Sequence, residues 1–405
     1  METLQRDVPT GVVAGAYDPR FAPVVEEFVR NYHDRGEVGA SLCVSVAGET
    51  VIDVWGGAAV LPGEDRAGAP WDRDTVSIVF SCTKGATALC AHVLAARGLL
   101  DYEAPVATIW PEFARAGKES ATVRMMLDHS VGVPVLRGEL SRDEVEDWDR
   151  IVARLEAEEA FWEPGTRNGY HMLNFGWTVG ELVRRVSGRS LGTFFAEEIA
   201  GPLGIDFWIG LPEAVEPRVA PMLPYVRPKG EPLSTFQKAI LNDPTSIPAC
   251  SFRNGPAFNP GRRSARAAEV GGGGGIANAR ALAGMYRPLA LGGGGLVDAG
   301  TLRRMRTISV ATNDDATLRI ATRFALGFMV SMDNRARTET DSVVLGERAF
   351  GHVGAGGSIG FADVEYGLSF GYSMNKMGKG ILLNERGQSL VDATYAVLGA
   401  PLSGG

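Results

Sequence analysis

Val76-Ser77-Ile78-Val79-Phe80-Ser81-Cys82-Thr83-Lys84-Gly85-Ala86-Thr87-Ala88-Leu89-Cys90-Ala91-His92-Val93-Leu94-Ala95-Ala96 is the stretch from which the chain is best read. Its first five residues are short and β-rich, and Ser81 is a good helix N-cap. From Cys82 to Ala96 nearly every residue is apolar or small, so the helix is buried on several sides, and Gly98 closes it. Ser81 and Lys84 are three apart, on one helical face, so the amine can reach the hydroxyl. At a helix N-terminus the free N–H groups and the dipole favour an attacking alkoxide and an oxyanion. The same field, together with desolvation, lowers the basicity of Lys84 and lets it accept a proton near neutral pH. The plain alternative is a capping serine followed by a solvated lysine.

Two other serines compete. Ser373-Met374-Asn375-Lys376 repeats the Ser-x-x-Lys spacing, but inside or just after an expected strand. There, residues three apart point to opposite faces. Gly356-Gly357-Ser358-Ile359-Gly360 has the form of a nucleophile elbow, which needs an acid and then a histidine downstream. The last histidine is His352, upstream of Ser358. A small residue in a Gly-rich strand start fits Ser358 better.

Working outward, Phe21 to His33 places Val24, Val25, Phe28 and Val29 on one helical face. Gly39 to Val46 and Thr50 to Trp55 read as a hairpin, and the opening is expected as this helix followed by strands. After Leu318 β-rich runs return at Ile320 to Met332, Val343 to Leu345, and Ile359 to Asn375 with a break at Tyr366-Gly367; Gln388 to Leu398 reads as a closing helix. Between them, helical stretches at Val123 to Leu127, Arg142 to Ala160 and Leu173 to Val186 are joined by Pro- and Gly-rich connections. The expectation is an α/β (α+β) fold: an antiparallel sheet flanked by helices, built from both chain ends (1–110 and 270–405), with an inserted mainly helical domain over 111–269. The Gly271 to Gly275 tract lacks the Gly-Lys-Ser/Thr ending of a phosphate loop and reads as a flexible or tightly packed turn.

With 405 residues the chain is long enough for one large or two mid-sized domains. Hydrophobic residues at 45% and charged residues at 22% exclude wholesale disorder. Forty Lys and Arg against 48 Asp and Glu give −8 with no basic run, which argues against nucleic acid or an anionic membrane as partner. No run of 18 apolar residues exists to span a membrane. The N-terminus carries charges and no apolar h-region, and the four cysteines form no CxxC pair. A cytoplasmic, reducing location is expected. The five histidines are scattered with no ligand pair, so no metal site is expected.

Two further segments join Ser81 and Lys84. Trp162-Glu163-Pro164-Gly165-Thr166-Arg167-Asn168-Gly169-Tyr170 leads a tyrosine to the start of a helix, and Gly351-His352-Val353-Gly354-Ala355-Gly356-Gly357 stands at the start of a strand. In this order the three resemble the serine β-lactamase and penicillin-binding superfamily, closest to its class C branch and the family VIII carboxylesterases. Met126-Leu127-Asp128-His129-Ser130-Val131-Gly132 resembles the Leu-Leu-x-His-Thr-Ser-Gly stretch of that branch, and the likeness runs from about residue 20 to 400.

The resemblance implies that Ser81 is acylated and that Lys84 and Tyr170 share its proton, with a lysine cation lowering the Tyr170 phenol. It implies that the Ala355 backbone N–H joins that of Ser81 as an oxyanion hole, that Gly354 allows close approach to substrate, and that His352 lines the pocket. His129 is read as structural, holding the loop before Pro134. Two departures matter. The Tyr-x-Asn of β-lactamases is Tyr170-His171-Met172 here, and the lysine of Lys-Thr-Gly is His352. Both favour a neutral ester over a β-lactam. The expected activity is thus a serine hydrolase of carboxylesterase type acting on a small-molecule acyl substrate without a cofactor. An acyltransferase of the same fold is the alternative, its acceptor depending on the segment from Phe207 to Phe258. A binding protein without turnover is a third reading, which Ser81, Lys84 and Tyr170 together oppose.

Overall fold

Seven of the eight residues from Gly39 to Val46 are buried, as are all seven from Leu368 to Met374. Two such runs can only be central strands covered on both faces. In the computed structural model, which describes residues 1–63, 67–336, 341–400 and 402, they lie side by side. The strands are β1 (Glu2–Val8), β2 (Gly11–Tyr17), β3 (Gly39–Val46), β4 (Glu49–Val60), β5 (Ala69–Pro70), β6 (Ser77–Ile78), β7 (Phe207–Trp208), β8 (Ile276–Ala277), β9 (Val310–Thr312), β10 (Thr322–Phe324), β11 (Met329–Val330), β12 (Ala349–Val353), β13 (Ile359–Asp363) and β14 (Leu368–Met374). Eleven form one antiparallel sheet in the order β1-β2-β4-β3-β14-β13-β12-β11-β10-β9, with β5 on β4; β6-β8-β7 form a small second sheet. The β3–β14 pair joins the two ends of the chain, with Leu42 opposite Tyr372. The class is α/β (α+β), a sheet flanked by helices and drawn from both ends, as expected.

Helix Ala22–Asp34 turns Val24, Val25 and Phe28 onto one face of this sheet, where helix Glu385–Val397 adds Leu390 and Tyr395. The opposite face carries helix Ala279–Ala290, which needs room. A Cβ on Gly371 would stand 2.2 Å from the Ala279 carbonyl oxygen, so only glycine lets the helix settle on β14. Over 111–269 the described residues form helices and the single strand β7. Phe175, Trp177, Leu182 and Phe194 from this stretch share one apolar cluster with helix Cys82–Ala96.

Several local expectations change. The N-terminal hairpin β1–β2 was not foreseen, because Leu4, Val8 and Val13 are its only buried apolar residues and the alternation is too dilute to read. The Val76 to Phe80 run contributes two residues to the small sheet rather than a strand to the large one. Ile320 to Met332 splits into β10 and β11 around Gly327 (φ 80°), and Val343 forms only an isolated bridge with Met332. Arg142 to Ala160 is two helices, Arg142–Val145 and Trp148–Ala157, the second started by Asp147 accepting from the Arg150 N–H.

One buried ion pair fastens the helical layer to the sheet. Arg386 Nη1 lies 2.8 Å from Glu37 Oε1, and the two side chains are 5% and 0% exposed. Arg386 also donates to the Lys376 carbonyl, Asn31 donates to the Arg386 carbonyl, and Tyr372 donates to Glu37. Removing one partner strands the other charge, so Arg386→Gln should lower stability by about 3–5 kcal/mol, measured by denaturant unfolding. A loss below about 1 kcal/mol would mean that water already solvates Glu37.

Candidate active site

Helix Cys82–Ala96 begins on a strained residue. Phe80 has φ 43°, in the left-handed region that a bulky side chain occupies only at a cost of about 1–3 kcal/mol. Hydrogen bonds hold it there. Val79 N–H donates to the Gly275 carbonyl (2.9 Å), Cys82 N–H to the Val79 carbonyl (3.1 Å), and Gly275 N–H to Thr83 Oγ1 (2.8 Å), whose hydroxyl donates to the Phe80 carbonyl. Ser81 occupies the N-cap position, but its side chain makes no capping hydrogen bond. Thr83 pins the turn instead, which leaves the Ser81 hydroxyl free for other work, half-buried at the head of the helix.

That hydroxyl meets Lys84, whose Nζ lies 3.1 Å from Ser81 Oγ. Lys84 is fully buried, with Nζ 2.6 Å from the Met172 carbonyl oxygen and 2.6 Å from that of Gly272. No carboxylate pairs with it among the described residues. Burial therefore holds the amine well below the ordinary lysine pKa. Nζ donates to all three oxygens, the two carbonyls and Ser81 Oγ; in a neutral amine one of these N–H groups gives way to a lone pair, which is then placed to take the Ser81 proton.

The Gly271 to Gly275 tract supplies one wall of this cradle. Gly271 and Gly272 present carbonyl oxygens, to Thr87 Oγ1 (2.9 Å) and to Lys84, whereas a phosphate loop presents N–H groups. The tract is tight rather than flexible, since a Cβ on Gly272 would stand 2.3 Å from the Leu173 carbonyl oxygen.

Tyr170 arrives from the other side. Its ring centroid is 4.7 Å from Lys84 Nζ, and its hydroxyl is close enough to Ser81 for the two to interact electrostatically. Burial pushes the phenol well above its ordinary pKa, opposed by the Ser81 contact. This reverses the expectation of a phenol lowered by a lysine cation: the same burial that confines Tyr170 removes the Lys84 charge. The tyrosine is placed through its backbone, where the N–H meets Asp315 Oδ1 and Oδ2 at 3.0 and 3.1 Å. Asp315 is wholly buried and also accepts from the N–H groups of Thr317 (2.8 Å) and Leu318 (2.9 Å) and from Thr322 Oγ1 (3.1 Å).

Three histidines line the region around the ring. His129 (φ 66°) accepts the His171 N–H at Nδ1 (3.2 Å), and its carbonyl accepts the Gly169 N–H. It thus supports the Tyr170 segment rather than the loop before Pro134. The His171 ring donates to the Gly169 carbonyl (2.7 Å) and the His352 ring to that of Val353 (2.8 Å). Burial lowers both pKa values to about 3 and holds His129 well below normal. All three are neutral near pH 7. The His352 ring centroid lies 6.0 Å from that of Tyr170, and its Nε2 is buried without a partner. His352 sits in the last turn-ward part of β12, not at the start of a strand.

The turn from Gly354 to Ser358 abuts the Ser81 turn. A Cβ on Gly354 would lie 2.2 Å from the Val79 carbonyl oxygen, so this glycine lets two backbones touch, a role the sequence reading had given to substrate approach. Ser358 is buried and donates to the same Val79 carbonyl (3.1 Å), which leaves it structural. Ser373 pairs with Ser41 (2.9 Å) while Lys376 reaches the Pro224 carbonyl (2.8 Å), so that Ser-x-x-Lys is accidental. Among the described residues, no acceptor stands against the backbone N–H groups of Ser81 or Ala355, both half-exposed.

Asp315 and the carbonyls of Met172 and Gly272 escaped the sequence reading. Carbonyls have no letter of their own, and Asn313-Asp314-Asp315 reads as an ordinary turn. Removing the Asp315 carboxylate strands three buried N–H groups. Asp315→Ala should therefore lose more than about 2 kcal/mol in thermal or denaturant unfolding, and Asp315→Asn, which keeps an acceptor oxygen, should lose less. Equal losses in the two variants would refute the assignment of this carboxylate as an acceptor hub.

Known proteins resemble this one over nearly the whole chain. The Beta-lactamase family model matches residues 23–391. The esterase/beta-lactamase LipL of Mycobacterium tuberculosis is 36% identical over 386 residues, covering 90% of this chain and 83% of that protein. The crystal structure of a family VIII carboxylesterase superposes with a TM-score of 0.82 at 38% identity, over 95% of this chain and 99% of the other. A penicillin-binding protein homolog from Caulobacter crescentus gives 0.82 at 34% identity, over the same shares. With the fold, the Ser81–Lys84 geometry and these matches in agreement, the chain belongs to the β-lactamase family of serine acyl-enzyme hydrolases.

Proposed function

We propose that the protein is a carboxylesterase-type hydrolase that cleaves a neutral small-molecule ester through a Ser81 acyl-enzyme, with β-lactam cleavage at most weak. The observation that carries this reading is the position of the Lys84 amine, 3.1 Å from Ser81 Oγ and deprived of solvent. In the proposed cycle the neutral Lys84 takes the Ser81 proton as Oγ attacks the ester carbonyl. The resulting oxyanion is received by the N–H groups of Ser81 and Ala355. Tyr170 then hands a proton to the departing alkoxide and is replenished from Lys84, which leaves the acyl group on Ser81 and free alcohol. A water attacks the acyl-enzyme with its proton passing to the same pair, releasing the acid and restoring Ser81. Asp315 is a positioning residue, acting only through the Tyr170 backbone.

Ester preference is supported by the charge of the site. A β-lactam carries a carboxylate, and His352, where a lysine would meet it, is kept neutral with a pKa of about 3. The residue two after the tyrosine, Met172, gives its backbone carbonyl to Lys84 and has no side-chain amide to hold an acylamide. Both relatives named as esterases fit this reading. A cytoplasmic setting fits the four cysteines, all free and buried, and no described helix is long and apolar enough to cross a membrane.

The test compares p-nitrophenyl esters of increasing acyl length with a chromogenic cephalosporin. Ester turnover should exceed cephalosporin turnover by a wide margin. Ser81→Ala should lose on the order of 10³-fold or more in kcat, and Tyr170→Phe about 10²–10⁴-fold. Ester cleavage by Ser81→Ala equal to the parent's would end the proposal. Addition of an alcohol acceptor should leave the free acid as the product; a transferred ester in its place would favour the acyltransferase reading.

The pH profile carries a separate sign. Lys84 must be neutral to act, so kcat/KM should fall as pH drops through its depressed pKa. It should stay level above, because Tyr170 is shifted upward and does not ionise in the working range. An alkaline rise near the ordinary lysine pKa would show that Lys84 is solvated during turnover.

A further inference from the structure

Helix Ala279–Ala290 has two faces with different tasks. Leu282, Met285, Tyr286 and Leu289 are buried in the core. Arg280, Gly284, Arg287 and Leu291 follow at helical spacing on the other face and line a groove of about 630 Å³ whose lining includes none of Ser81, Lys84 and Tyr170. Such a volume suits a small organic molecule.

The charges around this groove do not cancel. Arg73 lies 3.3 Å from Asp53, Arg280 lies 2.6 Å from Asp74 and 3.9 Å from Asp53, and Asp206 is paired with Arg218. Arg287 is left over. It reaches only the Thr50 hydroxyl (3.1 Å), its Nε has no partner, and among the described residues no carboxylate lies within ion-pair distance of it. Asn278, which also lines the groove, is 2% exposed. Its Oδ1 caps the helix by accepting the Ala281 N–H (2.9 Å), but its Nδ2 is buried without a partner. The uncompensated Arg287 is the group on this wall that an anion meets, and a guanidinium fork suits a carboxylate. The remaining wall is apolar, formed by Leu203, Ile205 and Leu291.

We infer that this groove is a second ligand site, separate from the Ser81 centre, for a small organic monocarboxylate whose alkyl part lies along Leu203, Ile205 and Leu291 and whose carboxylate meets Arg287. The site does not depend on the catalytic reading.

Calorimetric titration of the full chain tests it in a Ser81→Ala background, which removes turnover and leaves the groove intact. The probes are octanoate, inorganic phosphate and 1-octanol. Octanoate should saturate at one per chain, with phosphate and octanol each at least tenfold weaker. Arg287→Gln should weaken octanoate at least tenfold. Leu291→Asp, at a residue 50% exposed and therefore tolerant of change, should do the same by placing a like charge at the mouth, and decides the matter should Arg287→Gln misfold. Absence of saturable octanoate binding, phosphate binding as tightly as octanoate, or an affinity untouched by Leu291→Asp would each overturn the inference.

Discussion

An amine taken out of water, with two carbonyl oxygens and one hydroxyl for company, is the constraint around which this molecule is arranged. An ammonium ion at Lys84 would cost several kcal/mol in such surroundings without a carboxylate to answer it, so its pKa is held well below the ordinary lysine value. Every neighbouring element is shaped by the need to keep that position dry. The helix behind Ser81 is built from Gly85, Ala86, Ala88 and Cys90, small enough for neighbours to close over it from several sides. The glycine tract brings the Gly272 carbonyl within 2.6 Å. Leu173 and Gly176 press against that tract so closely that a Cβ on Gly176 would lie 2.1 Å from the Gly272 nitrogen.

The sheet serves this arrangement by rigidity. Its middle strands come from opposite ends of the chain, so the turn bearing Gly354 and Ala355 and the turn bearing Ser81 belong to segments nearly 300 residues apart. They are locked by direct contact: Ser358 and Cys82 both lie against the same pair of backbones, through Val79 and His352. Strain at Phe80 survives because hydrogen bonds on both sides over-determine it. The Glu37–Arg386 pair does comparable work at the far edge, tying the closing helix to the start of β3.

How far the sequence could be read follows from which features have letters. Central strands and amphipathic helices announce themselves through apolar spacing, so β3, β13, β14 and the two terminal helices were legible. So was the Ser81–Lys84 pair, since helical spacing alone separates it from Ser373–Lys376. Tyr170 needed the order of motifs as well. The hairpin β1–β2 was not legible, because Glu2, Thr3, Gln5, Arg6 and Asp7 face outward and three apolar residues cannot carry a period. The cradle of Lys84 was invisible for a different reason: its acceptors are main-chain oxygens, available from any residue and specified only by where the chain is folded. The fall in Lys84 basicity follows from its buried helix, but the upward shift of Tyr170 runs against the expected lowering. A tyrosine beside a lysine suggests a cation and a lowered phenol, whereas burial acts on both groups at once and drives each toward its neutral form.

That neutrality bears on what the site can accept. Burial moves Lys84, His129, His171 and His352 down and Tyr170 up from their ordinary pKa values, each toward its neutral form, and the Asp315 carboxyl is occupied by four donors. With its histidines neutral and its one buried carboxylate already hydrogen-bonded, the site offers little attraction to an anionic ligand and imposes no charge penalty on a neutral one. In the proposed cycle new charge arises when Ser81 gives up its proton and the ester carbonyl oxygen takes electrons. The N–H groups of Ser81 and Ala355, beside the contact of Gly354 with Val79, are the partners proposed for it. On that proposal, preference for a neutral ester and stabilisation of the transition state have one origin, a set of dipoles oriented in advance in a buried region.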